Sequence, residues 1–371
     1  MSTERPRAFD LTTSVGGGYA AKLLTEVGWD VVQLEPEAGA PLRHQTSRWG
    51  GGEGGAHAFV NHGKRSITTS DRSTIESLAA AADVVIGDFS AAGLAEAQLP
   101  ADIHSSLQPR FVVTSVSAFG LTGPDAELAS ADIVVQAASG LMFLTGEHDE
   151  QPMQLPPHAA SMTGGLAAGS ATLSALRSAR SDGELRRVDV SIVEAMASLT
   201  HGQVSRYVRS GEVARREQRI KQALRMVPSS DGYVYCAPGA VAAVRMEGIA
   251  TLLDEPRLAE ERFQTAEGRM QNWDEYLELF VPPFATKPAQ TWFEEADALH
   301  LTFALVQSVD DLFTCPQLTS RDLMREIPGP NGASVQIPGR PFKLWDPPEE
   351  PRHAPQSTGE HTDQILSEWL G

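Results

Sequence analysis

Two residues of one loop have the types that acyl chemistry uses. The segment Gln154-Leu155-Pro156-Pro157-His158-Ala159-Ala160-Ser161 sets a histidine three residues before a serine. A serine hydroxyl attacks a carbonyl carbon only when a base takes its proton, and His158 is the nearest base to Ser161 in sequence. The product of such a pair would be an acyl-serine ester. The competing reading is a serine that only holds local structure. No carboxylate competes within the segment, because no Asp or Glu lies between Gln151 and Arg180. The acidic run Glu147-His148-Asp149-Glu150 follows a different logic. Consecutive side chains do not easily converge on one ion, so a solvated loop is expected there and no metal centre. Cys236 and Cys315 have no motif around them and read as packing residues.

The elements that must position this loop alternate regularly along the chain. An apolar segment ending in Ser139-Gly140-Leu141-Met142 leads into it. A helix of small residues, Gly164 to Ala179, leads out, followed by a short strand, Arg187 to Val190, and a helix opened by Ser191. Further upstream, Arg7 to Leu11 reads as a strand, Tyr19 to Val27 as a helix and Trp29 to Leu34 as a second strand. Ala82 to Ile86 and Phe111 to Ser117 add two more. Near-continuous Val/Ile runs alternating with helices predict an α/β fold with a parallel sheet covered on both faces. Gly16-Gly17-Gly18 suits a tight strand-to-helix turn, but the G-x-G-x-x-G spacing of a dinucleotide site is absent. A charged stretch, Glu212 to Lys221, separates these elements from a new unit. That unit begins at Val227-Pro228 and Asp231 to Tyr235, with helical stretches at Val241 to Leu253, Trp273 to Phe280 and Ala289 to Glu295. Pro347 to Pro355 is a proline- and charge-rich connector.

Composition narrows the partners. The 371 residues carry a formal charge of −18, which argues against nucleic acid or an anionic membrane. A local basic pocket for an anionic ligand stays compatible with it. No run of about 18 apolar residues exists to span a membrane. Two cysteines and an N-terminus without an apolar signal region lead to the expectation of a cytoplasmic protein.

The loop and its flanks resemble the family III CoA-transferases, the CaiB–BaiF family. Asp132-Ile133, Gln136-Ala137, Ser139 to Met142, Thr145-Gly146 and the run from Val188-Asp189-Val190-Ser191 to Glu194 carry the likeness. Ser117 and Ala118-Phe119-Gly120-Leu121-Thr122-Gly123-Pro124 match another family segment, and Gly359-Glu360-His361-Thr362 matches its terminus. The likeness covers essentially the whole chain. It implies a Rossmann-like large domain over 1–209 and 338–371, and linkers with a smaller α+β domain over 210–337. It implies an intertwined dimer, a homodimer or a heterodimer with a paralogous subunit. The last helix is expected to pack back on the large domain.

The chemistry that the resemblance implies is CoA transfer between an acyl-CoA and a carboxylic acid, with acyl-CoA as substrate and no metal. In the family a loop aspartate attacks the acyl-CoA, giving a mixed anhydride and then an enzyme–CoA thioester. Ser161 stands at the matching position here. The racemases of the family use a histidine before the Asp-Ile pair together with the same loop aspartate. Ala131 and Ser161 stand at those positions here, so racemase chemistry lacks both groups. Asp132 is expected to hold structure. For CoA binding the resemblance points to the Val15-Gly16 turn, to Arg43, Lys64 and Arg65 as phosphate contacts, and to Asp88-Phe89, where the family usually has Asn-Phe. A carboxylate at Asp88, and Glu96 a turn further on, would repel a polyphosphate. Alternative readings are a non-catalytic subunit of a heteromeric CoA-transferase and an acyl-CoA lyase or isomerase with altered chemistry.

Overall fold

A computed structural model describes residues 5–45, 54–89, 111–147, 149–216, 226–236, 246–328, 334–345 and 357–371. Glu96, His148 and the Pro347 to Pro355 connector lie outside the described residues. The described residues divide into two compact units.

The first unit holds residues 1–145, 152–214 and 321–371. Its centre is a sheet of strands β1 (Arg7–Asp10), β2 (Asp30–Leu34), β3 (Arg65–Ile67), β4 (Val84–Gly87), β5 (Val112–Ser117) and β6 (Arg186–Ser191). They pair in the order β3-β2-β1-β4-β5-β6, every pair parallel. Parallel neighbours require crossover connections, and among the described residues helices stand between β1 and β2, between β3 and β4, and between β5 and β6. The order reverses beside β1, so the carboxyl ends of β1 and β4 flank the place where ligands of open parallel sheets sit.

Period-two alternation sends neighbouring residues to opposite faces. Ala8, Val31, Val84, Ile86 and Val112 pack beneath helices α1 (Val15–Glu26) and the long Ala159–Asp182 helix. Their neighbours Phe9, Val32, Val85 and Val113 pack on the other face, with Ile75 and Leu78 of the Arg72–Ala80 helix and with Ile365 and Trp369. Ile365 and Trp369 belong to the C-terminal helix Thr362–Leu370, so that helix lies on the sheet. The indole of Trp369 donates to Asp30 at 3.0 Å.

The second unit holds residues 146–151 and 215–320. An antiparallel sheet of β7 (Met226–Pro228), β8 (Tyr233–Cys236) and β9 (Phe303–Leu305) packs against helices Met246–Leu253, Trp273–Phe280 and Ala289–Ala298. Phe263, Tyr276, Phe280, Phe284 and Trp292 form a continuous chain of ring contacts in this core. Arg216 donates to the carbonyls of Glu147 and Glu150, which ties residues 146–151 to this unit.

One boundary differs from the expectation of a small domain over 210–337. The antiparallel hairpin β10 (Met324–Pro328) with β11 (Ser334–Pro338) belongs to the first unit. The reason is a buried charge cluster. Glu26 on α1 lies 2.5 Å from Lys22 and 3.3 Å from Arg340, and 3.9 Å from Arg325 on β10. A carboxylate removed from water needs such partners, and the hairpin region supplies two of them.

Candidate active site

Helix α1 starts at the carboxyl end of β1, capped by the Ser14 hydroxyl on the Gly17 N–H. Its N-terminal turn already holds a carboxyl group. Asp88, just after β4, accepts from the Thr13 N–H at 2.6 Å, the Ser14 N–H at 2.7 Å and the Ser14 hydroxyl at 2.7 Å. Orphan N–H groups and the helix dipole favour negative charge here. A Cβ on Gly17 would lie 2.5 Å from Asp88 Oδ1 and 2.4 Å from the Thr12 side chain, so only glycine allows this approach. Burial pushes the Asp88 carboxyl above the usual carboxylate range, against the pull of its Ser14 and Thr13 donors. The Phe89 ring turns the other way, into the hydrophobic core beneath the sheet. The Val15 side chain is likewise buried, among Tyr19, Leu23, Leu42 and Val60.

Two further segments meet this turn. The long helix from Ala159 runs beside α1, and a Cβ on Gly165 would lie 2.5 Å from the Gly16 carbonyl. A Cβ on Gly16 would in turn sit 3.1 Å from the Ser161 carbonyl. Ser161 is therefore in the first turn of a helix pressed against the Val15-Gly16 turn. His158 precedes that helix in the left-handed region, φ 69°, and its carbonyl accepts from the Met162 N–H.

The Ser161 hydroxyl does not turn to His158. It donates to Asp132 Oδ1 at 2.7 Å, and the Ser161 N–H donates to the same oxygen at 2.8 Å. Asp132 opens the short helix Asp132–Ala138, whose Gln136 donates to Asp132 Oδ2 at 2.7 Å. Gln136 is fixed in turn by accepting from the Leu155 N–H at 2.8 Å. The result is a half-buried carboxylate with a defined orientation beside Ser161. The spacing Asp132 to Gln136 is legible as an i,i+4 pair on a helix. Its tie to Ser161, across 29 residues, left no signal in the sequence.

The three cations expected at phosphates are distributed differently. Arg43 lies past the carboxyl end of β2, forked on Glu35 with contacts of 2.6 and 2.7 Å. Burial pushes the Glu35 carboxyl up, but hydrogen bonds from Arg43, Ser66 and the Ala40 N–H outweigh it and hold it below the ordinary range. Lys64 is fully buried, and its ammonium donates to Asp10, the Gly18 carbonyl and Asn61 at 2.6, 2.9 and 2.8 Å. An ammonium has three protons to donate, so all of them are used inside the protein. Arg65 starts β3 and reaches Asp30 and Glu368 at the amino end of the sheet, opposite to the Asp88 turn. Of the three, Arg65 alone turns to the amino end, while the Lys64 ammonium sits at the carboxyl end of β1, enclosed with Asp10.

No group of three or more His, Cys, Asp or Glu side chains is arranged to hold a metal ion among the described residues. Likewise, no described helix is long and apolar enough to cross a membrane.

Known proteins are similar to this chain over nearly its whole length. A succinate–glutarate CoA-transferase of Agrobacterium fabrum is 27% identical over 98% of this chain and 94% of its own length. Subunit BbsE of a succinyl-CoA:(R)-benzylsuccinate CoA-transferase of Thauera aromatica is 26% identical over 98% of this chain and 93% of its own length. The crystal structure of a CAIB/BAIF family protein from Brucella suis superposes with a TM-score of 0.85 at 26% identity, covering 98% of each chain. The sequence model of CoA-transferase family III matches residues 7–362, spanning the parallel sheet, the Asp88 turn and the Asp132–Ser161 contact, and the chain belongs to that family.

Proposed function

We propose that the protein transfers coenzyme A from an acyl-CoA to a free carboxylate, and that both acyl groups are short dicarboxylic acids. The observation that carries this reading is the family match over residues 7–362. The dicarboxylate class rests on relatives named for succinate and glutarate, which are similar over nearly their whole length. Incubation with succinyl-CoA and glutarate is expected to yield glutaryl-CoA and succinate in equal amounts. Hydrolysis of succinyl-CoA without glutaryl-CoA would count against transfer.

In this reading the CoA phosphates lie near the Val15-Gly16 turn and Arg43, while Lys64 and Arg65 serve the fold through their carboxylate partners. With Nε and Nη2 held on Glu35, Arg43 contributes its fixed positive charge beside the phosphates. Asp88 sets a limit on affinity, because it places negative charge at the same helix terminus.

The active form in this reading is a dimer in which two chains cover each other. Support comes from the His201–Ser210 helix, whose ten residues are all exposed. A ten-residue helix is marginal in water without packing. Val208 is 77% exposed, and Val204, Tyr207, Leu166 and Leu173 add apolar surface. Monomers rarely leave so much apolar area uncovered. Light scattering at micromolar concentration is expected to give twice the chain mass, and a stable monomer would refute it. A relative named as a subunit makes a paralogous second chain the alternative partner. A cytoplasmic location accompanies this reading, supported by Cys236 and Cys315, which form no disulfide.

A further inference from the structure

We infer that Asp132 is the carboxylate that becomes acylated and then carries coenzyme A, with Ser161 donating to its oxyanion. The inference rests on the proposed CoA transfer, which needs a carboxylate at the Val15-Gly16 turn. Residues 151–180 contain none. Of the two carboxylates that the fold brings there, Asp88 is held by the Thr13 and Ser14 donors, and Asp132 is bonded to Ser161 at 2.7 and 2.8 Å.

The two oxygens of Asp132 have different surroundings, and this assigns them different roles. Oδ1 receives two donors, the Ser161 N–H and hydroxyl. Oδ2 receives one, from Gln136. A carboxylate oxygen has two lone pairs, so Oδ2 keeps one for attack.

The steps balance without any added reagent. Oδ2 attacks the thioester carbon of the donor, an O–C bond forms, the C–S bond breaks, and CoA leaves as thiolate. The thiolate then attacks Cγ of the mixed anhydride. A C–S bond forms at Cγ, charge gathers on Oδ1 in the tetrahedral state, and the Cγ–Oδ2 bond breaks to release the first carboxylate with Oδ2. The second half repeats these steps in reverse. The acceptor carboxylate attacks the thioester at Cγ, and CoA leaves as thiolate. That thiolate attacks the acceptor's carbonyl carbon, and the Asp132 carboxylate is restored. No net proton moves.

Charge on Oδ1 develops where the Ser161 N–H and hydroxyl already point, and donors held in place before the reaction stabilise it without reorganisation. This gives the serine a purpose that a nucleophile reading does not. Its hydroxyl proton is committed to a carboxylate, and its side chain has no part in carrying the acyl group. The plainer account is that Asp132 only caps the long helix, by accepting from the Ser161 N–H in its first turn. That account does not require the carboxylate to remain half-exposed, or its second oxygen to be oriented by Gln136. It also predicts no covalent chemistry at Asp132.

The test uses the wild-type full chain with succinyl-CoA, with glutaryl-CoA formation followed in parallel. The reaction is trapped by acid or by borohydride, which reduces a carboxyl thioester to a primary alcohol. Cleavage after glutamate separates the candidates, since Asp132 falls in peptide 128–147 and Ser161 in peptide 151–184. A CoA-sized adduct, or the reduced carboxyl, in peptide 128–147 is expected. Ser161→Ala is expected to slow its formation about 100-fold, the effect of one lost oxyanion donor, while Ser161→Thr keeps the rate within a few-fold. CoA transfer with the adduct on a different peptide would overturn the role of Asp132 and leave the proposed function standing. An acyl-sized ester in peptide 151–184 would overturn it in favour of Ser161 as nucleophile. Absence of both transfer and adduct would remove the proposed function and the inference together.

Discussion

Replacing Lys64 with methionine is expected to lower folding stability by about 3–5 kcal/mol, the cost of removing one partner from a buried ion pair. The Lys64 and Asp10 side chains are both fully buried, with 2.6 Å between their charged atoms. Burial lowers the Lys64 pKa, and the Asp10 carboxylate works against that loss. Methionine fills similar space but removes the ammonium from Asp10, which keeps the Thr12 N–H as a donor at 2.9 Å. The Gly18 carbonyl and Asn61 side chain lose a donor as well. These groups hang from β1, α1 and the turn before β3, so the loss reaches the centre of the sheet. Urea unfolding followed by circular dichroism measures the effect. An unchanged midpoint with a large loss of CoA affinity would mean that Lys64 serves the ligand, as the sequence likeness implied, and not the fold.

Replacing Asp88 with asparagine is expected to raise CoA affinity about tenfold at neutral pH. One unit charge about 8 Å from a phosphate costs on the order of 2 kcal/mol at an effective dielectric of 20, less in salt. The amide oxygen still accepts from the Thr13 and Ser14 N–H groups, and the Ser14 hydroxyl can turn to accept from the amide. The pH dependence has a definite sign. Desolvation raises the Asp88 pKa above its unfolded value, with the Ser14 and Thr13 hydrogen bonds opposing. Its contribution to folding stability is therefore complete below the ordinary carboxylate range and is lost as pH rises through the raised folded value. CoA affinity follows the same direction in the wild type, increasing as pH falls and Asp88 becomes neutral. Titration calorimetry at acidic and at neutral pH tests both parts. Equal pH dependence in wild type and Asp88→Asn would place the phosphates away from the α1 terminus.

The parallel sheet was legible because its signals are local. Val84-Val85-Ile86 and Val112-Val113 are short apolar runs buried on both faces, and they are strands β4 and β5. Ser191 was legible as a helix start because a capping serine acts on residues three positions away, here the Glu194 N–H. Strand β3 was not legible, since Arg65 to Ile67 is three residues long and its segment read as a phosphate contact. The loop at Ser161 was singled out by likeness to a family, and its chain neighbour His158 was the natural base to suspect.

Sequence by itself determined the α/β class, the family and the chemistry that the family performs, because these rest on patterns repeated along the whole chain. Tertiary structure alone decided which charges face each other. Adjacent Lys64 and Arg65 look alike in sequence, yet one is enclosed with Asp10 while the other reaches the amino end of the sheet for Asp30. Gly16 and Gly165 let two helices approach closely, which brings the Ser161 turn, and the Asp132 bonded to it, to the α1 terminus. Side-chain pairing across 29 or 54 residues depends on angles and separations that the order of residues does not encode locally. The fold sets those separations, and with them which carboxylate stands beside the loop.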